Sequence, residues 1–243
     1  MCGFIFSIGF GNSLYSKDNP SLDLVRRRGL DQINRYSDSG SEWEFSRLAI
    51  RKITLGVQPY KGDGFISAFN GELYNEEFIR HALFHSYEFQ ENLPEGDMQL
   101  LGLYLNRFGI ESIKNVDGMF AGVYFEIDSK RVFAIRDKVG EKPIYYFQHN
   151  DALIISSLVL PGFPKDLAAN STEWLVKGYE SSDEIPFSAF KEVPPGTTVE
   201  FLDSGANVQA KFWDWPKKPN KQKKDKIRID KLEQKIFEAV NTR

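Results

Sequence analysis

The chain has 243 residues, with 31 Lys and Arg against 34 Asp and Glu, a net charge of −3, and 41% apolar residues. That balance is ordinary for a soluble globular protein and offers no electrostatic footprint for nucleic acid or an anionic membrane. No run approaches the ~20 apolar residues that span a bilayer. The opening residues also lack the charged n-region and small-residue cleavage site of a secretory signal, so a cytoplasmic protein is expected.

The length suits one large domain plus a tail. The single cysteine, Cys2, excludes an internal disulfide and a Cys-based zinc site, leaving a small buried residue or a reactive thiol. Residues 4–10 form an apolar run bounded by glycines, which predicts a strand buried on both faces at the start of the chain. Within it, Gly9-Phe10-Gly11 lacks the third glycine and the following helix of a dinucleotide loop. Pro20-Ser21 opens a predicted helix over 20–28, and a polar stretch follows through Ser41.

Strand-like runs recur at 45–50, 65–70, 118–126, 131–136, 143–148 and 152–157, several joined by short turns such as Asp128-Ser129-Lys130 and Asn150-Asp151. Two helices interrupt them. One covers about 75–85, and one begins near Asp97, where Met98, Leu101, Leu105 and Phe108 share a face. Antiparallel meanders with a few helices between them predict an α+β sandwich. After Trp215 the composition turns to a lysine- and proline-rich linker over 216–228, then to an amphipathic segment over 229–243 carrying Ile229, Leu232, Ile236, Phe237 and Val240. The domain is expected to occupy 1–215. His81 and His85 stand four apart on the first of the two helices, but with no third ligand in view no metal is expected.

Cys2 acquires chemistry from its position. Removal of Met1 leaves its thiol beside its own α-amine, two groups that ordinarily titrate within about a unit of each other, so the amine serves as a base for the thiol. Gly3 leaves room for a substrate to approach the backbone. A thiol attacking a carboxamide needs donors for the developing oxyanion, and Asn70-Gly71, at the end of an apolar strand, supplies a side-chain amide and a backbone N–H. Glutamine also calls for a cation and an anion, which Arg47 and Asp97 offer. Taken singly, each has a plainer explanation: Asn-Gly marks a turn, an Arg between strand residues faces solvent, and an Asp at a helix start caps it.

Taken in order, these segments resemble the glutaminase domain of class II glutamine amidotransferases, most closely the asparagine synthetase branch. Met1-Cys2-Gly3 stands where that family starts. Arg26-Arg27-Arg28-Gly29-Leu30-Asp31 is similar to its Arg-His-Arg-Gly-Pro-Asp, Arg47-Leu48-Ala49-Ile50 to its Arg-Leu-Ser-Ile, and Gln58-Pro59 follows. Asn70-Gly71-Glu72-Leu73-Tyr74-Asn75 resembles its Asn-Gly-Glu-Ile-Tyr-Asn, and Gly96-Asp97 its Ser-Asp. Asp117 to Ala121, Arg136 to Tyr146 and Pro194-Pro195-Gly196 complete a match over about 1–215.

The resemblance implies a four-layer αββα sandwich with antiparallel sheets, of the N-terminal-nucleophile (Ntn) hydrolase type. It implies Cys2 as nucleophile and, through its amine, as base, with Asn70 and Gly71 as the oxyanion hole. Arg47 would clamp the glutamine carboxylate and Asp97 its ammonium group, with Glu72 and the backbone around Leu48 and Ile50 completing the pocket. L-glutamine would be hydrolysed to glutamate and ammonia through a γ-glutamyl thioester, with no cofactor.

Several positions depart from the family. Leu30 and Arg27 replace its proline and histidine, and Arg51 stands where a small apolar residue is common beside the pocket. Ser156-Ser157-Leu158 replaces Ser-Glu and a following lysine near the contact with the second domain. The Ser-Gly-Gly-Leu-Asp-Ser-type pyrophosphate loop of the ATP-using domain does not occur. Ammonia would thus pass to an ATP-dependent synthetase domain or subunit, with 229–241 resembling that domain's first helix. The alternatives are a non-catalytic docking domain, or the glutaminase half of an amino-sugar or other amide-forming system.

Overall fold

A computed structural model describes residues 2–9, 20–50, 56–86, 93–162, 185, 188–202, 207–215 and 229–241. Met1, Phe10, Gly11, Arg51 and the basic run 216–228, all singled out above, lie outside the described residues. The chain divides into two units, Met1–Trp213 and Asp214–Arg243.

Alternation along β1 (Gly3–Ile8) sends Phe4 and Phe6 to one face and Ile5 to the other, and all three are fully buried. A strand with two apolar faces belongs in the middle of a layered body. There β1 runs antiparallel between β3 (Ser41–Arg47) and β9 (Ala152–Ser156). With β2 (Gln32–Asp38), β8 (Tyr145–His149) and β10 (Lys191–Glu192), they form one six-stranded sheet in the order β10-β8-β9-β1-β3-β2. The second sheet takes the order β12-β11-β7-β6-β5-β4. Its members are β4 (Tyr60–Gly62), β5 (Phe65–Leu73), β6 (Gly118–Glu126), β7 (Val132–Arg136), β11 (Thr197–Phe201) and β12 (Asn207–Lys211).

Phe4, Phe6, Trp43 and Phe45 of the first sheet meet Ile66, Ala68, Val123 and Phe125 of the second in one core. Helix α1 (Pro20–Arg26) places Leu22 and Val25 against Ile5 and Ile154 on the outer face of the first sheet. On the outer face of the second lie α2 (Glu76–Ser86) and α3 (Asp97–Phe108), whose Ile79, Leu83, Leu101 and Leu105 cover Phe65, Phe69, Phe120 and Phe133. The order of layers is αββα, as the family resemblance implies. Helix α4 (Ile229–Asn241), in the second unit, carries the expected apolar residues.

Four expectations are corrected. The polar stretch before Ser41 contains β2, an edge strand alternating half-buried and exposed residues, joined to β3 by a Ser39-Gly40 turn with both φ angles positive. An edge strand with one wet face has little apolar alternation to reveal it. The run expected at 45–50 leaves the sheet after Arg47, because Ala49 N–H turns to the Asp31 carboxylate at 2.7 Å. Phe108, expected on the buried face of α3, is half exposed; Tyr104 is buried in that layer, with the Phe108 ring 4.9 Å away. What approaches Gly3 is the main chain of Val25, into whose carbonyl oxygen a Cβ would run, so this glycine seats α1 rather than admitting substrate.

Under α1 sits the fully buried Glu44 of β3. Its carboxylate takes two bonds from Arg26 (Nε 2.8 Å, Nη2 3.0 Å) and one from Arg35 Nε at 2.6 Å. Both arginines retain solvent contact, which softens the penalty of losing their anion. Glu44→Ala is expected to lower unfolding free energy by about 2–3 kcal/mol in urea titrations, toward the low end for stripping a buried ion pair.

Candidate functional site

The thiol of Cys2 accepts the Leu48 N–H at 3.4 Å and lies 3.8 Å from the Leu48 carbonyl oxygen, the backbone having turned out of β3 at that point. The Cys2 main-chain nitrogen donates to Asn70 Oδ1 at 3.1 Å. Asn70 shares the β5 face of Ile66 and Ala68, so its side chain enters the space between the sheets, where it is 3% exposed. With Oδ1 engaged, Nδ2 is fixed on the other side of the amide, buried and without a protein partner. An unpaired buried donor costs about 1–3 kcal/mol. Asn70 itself lies on the cavity wall.

Gly71 adds a second donor through strand alternation. Successive residues of an antiparallel strand point their N–H and C=O alternately toward and away from a given neighbour. Phe69 N–H and C=O bond the Gln58 side chain at 2.6 and 2.8 Å, and Leu73 N–H bonds Asp97 Oδ2 at 3.1 Å, so both face away from β6. Gly71, between them, presents its N–H on that same edge, past the end of β4, whose pairing stops at Ser67. A Cβ here would collide with the Met119 carbonyl oxygen of β6, which restricts the position to glycine.

Arg47 closes β3 and is buried, and a side chain at Gly56 would stand 3.4 Å from its Nη2 and 3.6 Å from Gly96 Cα. The guanidinium and the start of α3 thus border one wall. Asp97, first in α3, uses each oxygen once: Oδ1 accepts Met98 N–H at 2.9 Å and Oδ2 accepts Leu73 N–H. Each oxygen keeps a further lone pair, so these two main-chain bonds leave the carboxylate able to accept from a ligand. Desolvation pushes the Asp97 carboxyl up from the ordinary range, assisted by Glu76 and Glu72, and the two backbone N–H bonds pull against it.

These groups line one open cavity of about 200 Å³. All eight residues named from the sequence are on its wall: Cys2, Arg47, Leu48, Ile50, Asn70, Gly71, Glu72 and Asp97. Sequence reasoning did not assign Gln58, Glu76, Glu95, Met119 and Lys142, which also line it. Lys142 is carried there by a loop wound on Asp137, whose carboxylate accepts the N–H groups of Val139, Gly140, Glu141 and Lys142 at 2.7–3.1 Å. Arg28 was also unassigned. It donates to the Ser157 carbonyl at 2.7 Å and interacts electrostatically with Cys2, while Ser157 Oγ accepts Phe4 N–H at 3.0 Å. Both Arg28 and Lys142 stood inside quoted motifs, but nothing in those motifs says that Lys142 lines the cavity or that Arg28 bonds the Ser157 carbonyl. Leu30, replacing the family's proline, is 77% exposed, and Arg27 is exposed beside it. His81 and His85 face each other on α2 with ring nitrogens 3.0 Å apart.

Fold and pocket together are those of a class II glutamine amidotransferase domain. Residues 1–213 match the glutamine amidotransferase domain family, and the chain belongs to it. Asparagine synthetase [glutamine-hydrolyzing] 3 of Bacillus subtilis (strain 168) is 25% identical over 229 residues, 88% of this chain and 37% of that protein. Amidase chry2 of Gibberella zeae is 26% identical over 237 residues, 92% of this chain and 34% of that protein. The fold is shared with the glutamine phosphoribosylpyrophosphate amidotransferase of B. subtilis solved with ADP and GMP. The TM-score is 0.58 at 18% identity, covering 87% of this chain and 49% of that one. This chain therefore spans little more than a third of these curated relatives, and half of the solved one. No helix among the described residues is long and apolar enough to cross a membrane.

Since the folded Asp97 carboxyl titrates above its unfolded value, the folded protein holds a proton between those two values that the unfolded chain has released. Its contribution to stability should decline as pH rises through that window. Unfolding measured against pH, compared with Asp97→Asn, should show this component only in the parent protein.

Proposed function

We propose that this domain hydrolyses L-glutamine to glutamate and ammonia, with Cys2, freed of Met1, as nucleophile and its own amine as base. The observation that carries the reading is the Asn70 amide, which holds the Cys2 nitrogen through Oδ1 and leaves Nδ2 buried and unpartnered, with both residues on the cavity wall. An amide fixed this way binds an oxyanion without reorganising.

In this mechanism the Cys2 amine takes the thiol proton, and Sγ attacks the glutamine side-chain carbonyl carbon. Charge gathers on the carbonyl oxygen, opposite Asn70 Nδ2 and the Gly71 N–H. Collapse of the adduct breaks the C–N bond, the amine returns its proton to the leaving nitrogen, and ammonia departs from a γ-glutamyl thioester. Water, deprotonated by the same amine, then releases glutamate and restores the thiol. Arg47 pairs with the glutamine α-carboxylate and ionised Asp97 with its ammonium, in a wall where Glu72 and Glu76 reinforce the negative potential. The backbone at Leu48 and Ile50 closes the pocket.

The relatives named as glutamine-hydrolysing asparagine synthetases support passage of the ammonia to an ATP-dependent, asparagine-synthetase-like domain or subunit. In that arrangement residues 1–215 are the glutaminase, 216–228 a basic linker, and 229–243 a helix that begins or docks to the synthetase part, all in the cytoplasm.

The test is glutamate release from glutamine by protein whose intact mass shows loss of Met1. Cys2→Ala should abolish it, and activity unchanged in that variant would sink the proposal. Asn70→Ala should lower kcat by about 10²–10³-fold, the usual effect of deleting one oxyanion donor, with little change in KM.

A further inference from the structure

Among the described residues, the outer edge of β5 is paired by a strand only from Phe65 to Ser67. β4 reaches only Ser67, yet Phe69, Gly71 and Leu73 all present main-chain groups beyond that point. We propose, building on the glutaminase reading above, that Gln58 is a positioning residue for this site, its carboxamide taking the place of the missing neighbour strand.

Gln58 is 6% exposed. Its Nε2 donates to the Phe69 carbonyl at 2.8 Å and its Oε1 accepts the Phe69 N–H at 2.6 Å, the two-bond exchange that a strand's peptide groups would make. Its own main-chain carbonyl accepts Asn34 Nδ2 at 2.8 Å, from β2 in the opposite sheet. A continuous polar connection thus runs from the first sheet through Gln58 to the residue preceding Asn70. The two oxyanion donors hang between this anchor and the one at Leu73, held by Asp97. Without Gln58, two buried main-chain groups lose their partners, and the edge must shift or admit water to satisfy them. Cys2, just ahead of β1, and Arg47, at the end of β3, rest on other strands, so damage should fall on oxyanion stabilisation and spare glutamine binding and thiol reactivity.

Gln58→Glu gives a signature that a general packing role lacks. A protonated carboxyl both donates to the Phe69 carbonyl and accepts its N–H, as the amide does, whereas the ionised form faces that carbonyl with negative charge. Burial raises the introduced carboxyl toward neutrality, so the defect should ease as pH falls. At about pH 8 we expect kcat for glutamine hydrolysis to drop at least about tenfold against the parent, the ratio recovering to within about threefold near pH 6. KM, and the rate of Cys2 alkylation by iodoacetamide, should stay within about twofold of the parent at both pH values. Gln58→Met should lose kcat by about 100-fold with no such pH recovery.

The inference is overturned if folded Gln58→Met keeps its kcat, if the Gln58→Glu deficit lies in KM or ignores pH, or if alkylation falls in parallel. If Gln58→Met does not fold, the Gln58→Glu profile decides alone. A parent protein that lacks glutamine turnover overturns the glutaminase reading instead. In that case hydrogen exchange at the Phe69 amide, expected to be faster in Gln58→Met than in the parent because its acceptor is gone, still decides the positioning claim, and equal protection overturns it.

Discussion

The hydrogen bond from the Cys2 nitrogen to Asn70 Oδ1 joins residues 68 positions apart and links the two sheets at the mouth of the core. It also settles which way the amide faces. A planar amide with its oxygen committed to one side has its NH₂ group on the other, so one contact fixes both the Cys2 nitrogen and the orientation of a buried, unpaired donor. The αββα layering serves that contact. β1 must be apolar on both faces to lie centrally in its sheet, and β5 must end where β1 begins. The core between the sheets, from Phe4 and Phe6 to Ile66 and Phe125, holds the two strand ends in register.

The β5 edge is the harder structural problem. Ordinary sheets satisfy an edge with a neighbouring strand or with water, but a strand continuing past Ser67 would cover the Gly71 N–H. The protein instead uses side chains as intermittent partners, Gln58 at Phe69 and Asp97 at Leu73, leaving the position between them to the cavity. This explains why the wall draws its residues from distant parts of the chain. It also explains why Gly71 admits no side chain: the face turned from the core lies directly against β6.

The sequence disclosed what local chemistry and strong patterning encode. The buried strand after Cys2, the four strands between 118 and 157, both helices over the second sheet and all eight proposed cavity residues were legible there, though not that those four strands divide between the two sheets. Single features were ambiguous, and the order of the set brought them together: Asp97, first in α3, accepts the Met98 N–H and lines the cavity. What stayed hidden depended on tertiary contact. β2 is polar because one of its faces is wet. Gln58 carries no signal of its own, since a glutamine before a proline reads as loop until the strand edge it completes is known. Lys142 reaches the wall only because Asp137 winds its loop with four N–H bonds. Gly3 looked like room for a substrate and proved to be room for a helix, because the residue that approaches it lies 22 positions away.

How completely each buried polar group is satisfied separates scaffold from site. Glu44 and Asp137 are both fully buried, and each has its carboxylate filled, the first by two arginines and the second by four main-chain N–H groups. Such groups hold a structure in place and have little left to offer a ligand. Asp97 is desolvated but takes one N–H per oxygen, and its carboxyl is pushed up as a result; Asn70 Nδ2 has no protein partner at all. Each is unfavourable in the empty domain, and in the proposed reaction each would be relieved by one part of a glutamine molecule: Asp97 by the ammonium, Asn70 by the developing oxyanion. The oxyanion exists only in the transition state, so relief at Asn70 accelerates chemistry, whereas relief at Asp97 is already complete on binding. On the proposed mechanism, this physical distinction assigns a change at Asp97 to affinity and a change at Asn70, or at the Gln58 anchor behind it, to turnover.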